Sequence, residues 1–190
     1  MNDFAKDIEQ CLSVLNRGGI ILYPTDTVWG IGCDATNENA VNKIFTLKKR
    51  EDSKSMIILI SDKLNITDYV DAPNVEIMNF ISKTTQPTTV IYDNVKNVAK
   101  SLINKDGSIA IRIVRDDFCV ALINKFKKPI VSTSANNSGM PAPAIFNTIQ
   151  PEIKNGVDYI VQHRQRDFRV AKPSAIIKLS EEGKIIVLRP

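Results

Sequence analysis

The feature that most limits what this chain can fold into is a series of short apolar runs separated by stretches of helical periodicity. Residues 20–23, 56–60, 88–92, 109–114 and 129–132 are runs too brief for helices. They are bounded by Gly, Pro, Asn or Asp and read as buried strands. Between them lie helix patterns. Phe4, Ile8, Cys11, Leu12 and Leu15 share one face, with Asn2 or Asp3 as cap and Gly18–Gly19 as stop. Asn37 opens a second helix that turns Val41, Ile44, Phe45 and Leu47 inward and fades at Lys48 and Lys49. Residues 73–81 are helical by pattern, and Asp116 caps a helix to Phe126 with Ala121, Leu122 and Phe126 among its core positions. Residues 23–35 read as a turn-rich stretch, and 162–172 as a polar, arginine-rich surface loop. Residues 175–179 and 184–189 frame Glu181, Glu182 and Gly183 as a terminal hairpin. Strand–helix alternation predicts an α/β fold, and the hairpin makes its sheet mixed rather than purely parallel. With no repeat, low-complexity tract or linker, residues 1–190 are expected to form a single domain.

Composition excludes several classes of function. Of 190 residues, 43% are hydrophobic and 24% charged, so the chain can bury a core. No run of about 18 apolar residues exists to cross a membrane, and the charged start MNDFAKDIEQ lacks the apolar stretch of a signal peptide. Cys11, Cys33 and Cys119 are odd in number, far apart and form no CxxC. A disulfide framework and a zinc site are therefore not expected, and a reducing, cytoplasmic compartment is. His163 is the only histidine, which removes most Ser-His-Asp and Cys-His schemes unless it takes part itself. The charge of 25 − 21 = +4 permits an anionic partner without demanding one.

Several clusters could carry chemistry, and each has a plain structural alternative. Lys48 and Arg50, with Lys54 beyond, follow a helix. On an extended segment Lys48 and Arg50 share a face and can converge on an anion; at a helix end they simply complement the dipole. Ser132, Ser134 and Asn136 alternate after residues 129–131, so a strand continuing to Asn136 aims all three one way, at the end of the sheet where α/β folds bind ligands. The alternative is a Ser/Asn-rich turn. A serine hydrolase lacks its GxSxG elbow here. In PTDTVWGIG, Thr25 and Thr27 offer hydroxyls and Asp26 can hold a cation, while Trp29 reads as core or lid; neither a Walker A nor a GxGxxG pattern is present. Arg112 lies on the strand face opposite Ile109, Ile111 and Ile113, facing either solvent or a cleft. Ser174 and Arg189 are similar cases. Arg164, Arg166 and Arg169, near Lys172, form a basic loop that is either solvated or touches phosphate or RNA.

Taken together, GGIILYPTDTVWGIGCDA, LKKR, IAIRIV, KPIVSTSANNSGMPAP, KPSAIIKL and VLRP, in this order from Gly18 to Arg189, resemble the YrdC-like domain family, the L-threonylcarbamoyladenylate synthases. The resemblance implies a twisted mixed sheet with flanking helices and a concave basic cavity, in the short form without a further C-terminal domain. It implies condensation of ATP, L-threonine and bicarbonate to threonylcarbamoyl-AMP with release of pyrophosphate. The product feeds threonylcarbamoyladenosine formation in tRNA through a separate transferase. Some members bind double-stranded RNA, and an RNA- or nucleotide-binding module without turnover is the competing expectation. By position, Lys48 and Arg50 match the family's catalytic KxR pair. With Lys54, Ser134, Asn136 and Arg189 they would hold the ATP triphosphate. Thr27, Arg112, Ser132 and Ser174 match positions for threonine or its carbamate. Magnesium is expected to arrive with ATP, held mostly by phosphate oxygens and water, with no metal site built from protein side chains. Departures include Glu51 after the KxR pair, Ser55 and Met56 for Pro-Leu, TTQPTT from Thr84 to Thr89 for WPGPLT, and Pro190 for the closing glycine. The chemistry suits these residue types. An anionic carbamate attacking a polyanion needs charge neutralisation and positioning more than proton transfer.

Overall fold

A computed structural model of the protein describes residues 4–49, 56–180 and 182–190. The chain opens with α1 (Ala5–Asn16), which buries Ile8, Cys11, Val14 and Leu15 along one face. It stops where Gly18 takes φ +71°, a conformation that glycine adopts without Cβ strain, and the Gly19 amide donates back to Val14 O at 2.9 Å. The expected caps Asn2 and Asp3 lie outside the described residues. Next come β1 (Ile21–Tyr23) and β2 (Gly30–Gly32). The turn-rich reading of residues 23–35 is corrected there: Gly30, Ile31 and Gly32 pair with β1 on one side and with a later strand on the other.

Asn37 caps α2 (Glu38–Lys48), its side chain accepting the Ala40 amide. The helix buries Val41, Ile44 and Phe45, while Leu47 is only half-buried. It persists through Lys48, and Lys49 leaves it in the left-handed region at φ 50°. The extended reading at Lys48 is therefore corrected: the last helical turn is retained and the break falls one residue later. The chain continues through β3 (Ile57–Ile60), α3 (Val75–Lys83, capped by Asn74), β4 (Thr88–Tyr92) and β5 (Ile109–Ile113). It ends with α4 (Asp117–Phe126, capped by Asp116), β6 (Ile130–Ser134), α5 (Pro151–Asn155), β7 (Tyr159–Ile160), β8 (Ala175–Leu179) and β9 (Ile185–Arg189).

The strands join in one nine-stranded sheet, order β7-β1-β2-β6-β3-β5-β4-β8-β9. Parallel pairs (β1–β7, β3–β5, β4–β8) mix with antiparallel ones, including the terminal β8–β9 hairpin. The mixed α/β fold expected from the sequence is the one observed. Helices α1 and α4 pack together, with Phe4 edge-on to Phe118 at 5.5 Å. His163 sits against both rings, and its backbone amide donates to Asp7. It is part of this packing and not of the cavity described below.

The arginine-rich loop is cross-tied. Arg164 reaches Asp116 at 2.7 Å and donates to Thr25 O at 3.2 Å, and Asp167 takes both Arg164 and Arg169. Hydrogen bonds from Arg169 hold the Asp167 carboxyl well below the usual carboxylate range. Among the described residues no helix is long and apolar enough to cross a membrane.

Candidate active site

Alternation along paired strands decides which side chains meet. Cross-strand partners point to the same face of a sheet. The register places Ser132 beside Ile57, Ile57 beside Ala110 and Ala110 beside Ile91. In the neighbouring row Leu59 lies beside Arg112, Arg112 beside Thr89, Thr89 beside Ile176 and Ile176 beside Arg189. Gly30 pairs with Ser134 at the far end. One face of the sheet thus carries two guanidiniums and a set of hydroxyls across strands distant in sequence.

On that face lies a cavity of about 360 Å³. Thr27, Arg112, Ser132, Ser134, Ser174 and Arg189, six of the ten residues singled out from the sequence, line it. Backbone and apolar groups complete the wall, notably Gly30, Ala110, Ala142 and Pro173. Tyr23 braces the floor of β2, its phenol donating to Val131 O at 3.0 Å.

The polar groups are held in definite orientations. The Thr25 hydroxyl donates to Val28 O at 2.8 Å and accepts the Thr27 amide at 3.0 Å. Its one proton is therefore committed, so in the 3.0 Å contact between the two hydroxyls Thr27 is the donor. The lone pairs of Thr27 remain to accept from a ligand's ammonium or hydroxyl. Across the cavity Arg189 Nε donates to Ser174 O at 2.9 Å, and the Ser174 hydroxyl bonds that of Thr89 at 2.8 Å. Although Arg189 is exposed, partial desolvation of its guanidinium and the nearby Arg112 charge lower its pKa. Arg112 itself is nearly inaccessible, at 3%, and pairs with Asp26 at 3.1 Å. Two arginines against one carboxylate leave the wall attractive to an anion.

Lys48 and Asn136 stand one layer behind this wall. The Lys48 ammonium is buried and donates to the backbone carbonyls of Ser134 and Asn136, while Lys48 O accepts the Ser138 amide at 3.0 Å. The expectation that the strand continues to Asn136 is corrected. Strand β6 ends at Ser134, because the Asn136 amide turns back onto Ser134 O at 2.8 Å. The Asn136 side chain then donates to Asn137 O and Met140 O, and its own oxygen is buried without a hydrogen-bond partner. Arg50 and Lys54 lie outside the described residues, as do Glu51 and Ser55.

A family model described as "Telomere recombination", for the Sua5, YciO and YrdC proteins, matches residues 13–190. The chain belongs to this family. A protein of Hahella chejuensis called "Threonylcarbamoyl-AMP synthase" is 33% identical over 171 residues, covering 89% of this chain and 91% of its own length. One of the same name from Photobacterium profundum is 30% identical over 159 residues, covering 82% and 86%. Among solved structures, Sua5 of P. abyssi complexed with L-threonine superposes with a TM-score of 0.86 at 24% identity. It covers 97% of this chain, which spans about half (54%) of that longer one. E. coli YciO superposes with a TM-score of 0.82 at 24% identity, covering 97% of this chain and 88% of its own. These superpositions bear out the fold expected of the family: a mixed sheet with flanking helices.

Sequence reading did not find the Asp26–Arg112 pair or the Thr89–Ser174 contact, since both join residues far apart in the chain. The alternation of Arg112 with buried isoleucines was the signal for its facing a cleft. Trp29 takes the core reading: it is buried and packs on Phe146 at 4.8 Å. In the basic loop Arg169 is solvent-exposed as the plain reading had it, whereas Arg164 is half-buried and tied to Asp116 and Asp167.

Proposed function

We propose that this protein is a threonylcarbamoyl-AMP synthase, joining L-threonine, bicarbonate and ATP with release of water, as the amine and bicarbonate form the carbamate, and of pyrophosphate. The observation that carries this reading is the convergence of Thr27, Arg112, Ser132, Ser134, Ser174 and Arg189 on one cavity, in a chain whose curated relatives bear that name. In the bond-making step a carbamate oxygen attacks the α-phosphorus. The O–P bond forms, the bond to the β-phosphate oxygen breaks, and pyrophosphate leaves with that electron pair. The nucleophile is already an anion, so the protein's task is to hold two negative reactants together.

The division of labour is the one that the family resemblance implies. Thr27, Arg112, Ser132 and Ser174 take threonine and its carbamate. Thr27 offers lone pairs to the amine or hydroxyl, and Arg112 offers a planar fork to a carboxylate. Ser134 and Arg189, with Lys48, Arg50 and Lys54, take the triphosphate, and Asn136 serves it by pinning the turn after Ser134 to Asn137 O and Met140 O. Lys48 acts from behind, adding its charge while fixing the carbonyls of the Ser134–Asn136 turn. Magnesium belongs to the substrate as its ATP complex. The cavity's donors are hydroxyls and guanidiniums, which suit phosphate oxygens, and among the described residues no cluster of three or more His, Cys, Asp or Glu side chains forms. Arriving with ATP, the metal would draw its ligands mostly from phosphate oxygens and water. The product passes to a separate transferase that modifies tRNA, and the need for ATP and tRNA assigns the reaction to the cytoplasm.

The test is pyrophosphate release from ATP with each substrate omitted in turn. Release that needs both threonine and bicarbonate is expected. Release undiminished without threonine, or RNA binding with a steep salt dependence and no nucleotide turnover, would overturn the reading.

A further inference from the structure

Asp26 is a half-buried carboxylate that none of the substrate contacts above uses. It sits on the loop between β1 and β2, and that loop is fixed from three sides. The Thr25 hydroxyl closes it internally, Arg164 donates to Thr25 O, and the Cys119 thiol donates to Pro24 O at 3.3 Å. Arg112 is equally fixed, in the middle of β5 between Leu59 and Thr89.

The two side chains open onto different spaces. Arg112 lines the 360 Å³ cavity, whereas Asp26 lines a smaller neighbouring one of about 160 Å³ with Arg115, Asp116 and Thr84–Thr88. At 3.1 Å apart they form the partition between the two. The carboxylate thus meets the guanidinium from outside the reaction cavity, through Nη2, and does not occupy the space where substrate would lie. Among the described residues Arg112 Nε, which is buried, finds no hydrogen-bond partner. Its neighbour Arg189 carries the same charge and is close enough for Arg112 to lower its pKa. Among the described residues Asp26 is the one carboxylate ion-paired to Arg112. Without it, no ion pair among the described residues opposes the repulsion between the two guanidiniums.

We infer that Asp26 is a positioning residue: as an ion-pair partner 3.1 Å from Arg112 Nη2 it holds the guanidinium by charge from behind, so that the rest of the fork faces the carboxylate of the amino-acid substrate. The inference rests on the proposed function, because it names which substrate Arg112 serves. Asp26 touches no reacting atom in this scheme. Its effect is on threonine binding and not on the phosphoryl-transfer step.

The test compares Asp26→Asn with wild type by two readouts. In steady-state turnover the KM for L-threonine should rise about ten- to a hundredfold, the scale of one charge-assisted hydrogen bond. The KM for ATP and kcat should change far less. Independently of turnover, the ¹⁵N–¹H signal of Arg112 Nε, assigned by its loss in Arg112→Lys, should be resolved in wild type. It should broaden or exchange rapidly in Asp26→Asn. An unchanged Nε signal overturns the inference, as does an equal rise in the KM of both substrates. A wild-type protein that makes no product refutes the proposed function instead, and the Nε signal alone then decides whether Asp26 holds Arg112.

Discussion

Replacing Gly32 by alanine tests whether the cavity floor is as tightly built as it looks. A methyl group on Gly32 would stand 2.6 Å from Tyr23 Cε1, 2.6 Å from Val131 O and 3.0 Å from Ile130 Cγ2. Val131 O is backbone and the Tyr23 ring is fully buried, so neither yields easily. Overpacking of this kind costs about 1–3 kcal/mol. Moving the ring also strains the bond from its hydroxyl to Val131 O, worth about 0.5–1.5 kcal/mol. Alanine's lower unfolded-state entropy offsets about 0.4–1 kcal/mol. The net loss is about 2 kcal/mol at mid-range, which for a domain of this size lowers Tm by roughly 4–8 °C. Gly30→Ala is the contrast. Its methyl would meet Ser132 Oγ at 3.1 Å, with the other neighbours at 3.5 and 3.6 Å. A hydroxyl can rotate away, so stability should stay within about 0.5 kcal/mol, but the methyl enters the cavity beside Ser132 and turnover should fall. Thermal melts and product formation on the two variants check both. A Gly32→Ala protein that melts within about 2 °C of wild type would refute the packing argument.

Three further outcomes follow from the same structure. Lys48→Met removes the charge that holds the carbonyls of Ser134 and Asn136, so turnover should fall by more than about tenfold with a raised KM for ATP; full activity would reject its role. Burial pushes the thiols of Cys11, Cys33 and Cys119 up, so alkylation at pH 8 should label none in the native protein and three after denaturation, and rapid native labelling would contradict their burial. Burial raises the Asp26 carboxyl above its ordinary 3.8, against the pull of Arg112 and with the push of Asp116. The folded protein then binds that proton more tightly than the unfolded chain, so the stability it adds is full below pH 3.8 and fades as pH rises through the raised value. Denaturant titrations across this range should show a slope that Asp26→Asn flattens, and identical slopes would count against a raised Asp26.

The strands rich in β-branched residues were legible because side-chain shape and alternation both point to a half-buried pleat. Strand β2 was not. Gly30 and Gly32 have little strand preference of their own, and the segment is extended because β1 and β6 hold it on both edges. Those glycines are required by what packs on them: the Tyr23 ring occupies the space a Gly32 side chain would need. Lys48 misled for a related reason. Its lysine-rich neighbourhood looks like a helix end, but its ammonium finds buried carbonyls from another strand, and the helix carries one more residue to deliver it. At the site, alternation correctly gave Ser132 and Ser134 one direction and put Arg112 opposite its isoleucines, but left open whether that face met solvent or a cleft. It failed at Asn136, because a turn stabilised by its own side chain ends the strand first. What sequence could not supply was pairing at a distance: which acid backs Arg112, and which hydroxyl meets Ser174.

The central claim is that one cavity lets an amino-acid carbamate reach the α-phosphate of ATP. Incubating the protein with ATP, magnesium, L-threonine and ¹³C-bicarbonate, then weighing the nucleotide products, tests it most directly. The account predicts an adenylate carrying threonine and one ¹³C, formed with pyrophosphate and lost in Arg112→Ala. Turnover of ATP that yields only unlabelled adenylate would contradict it.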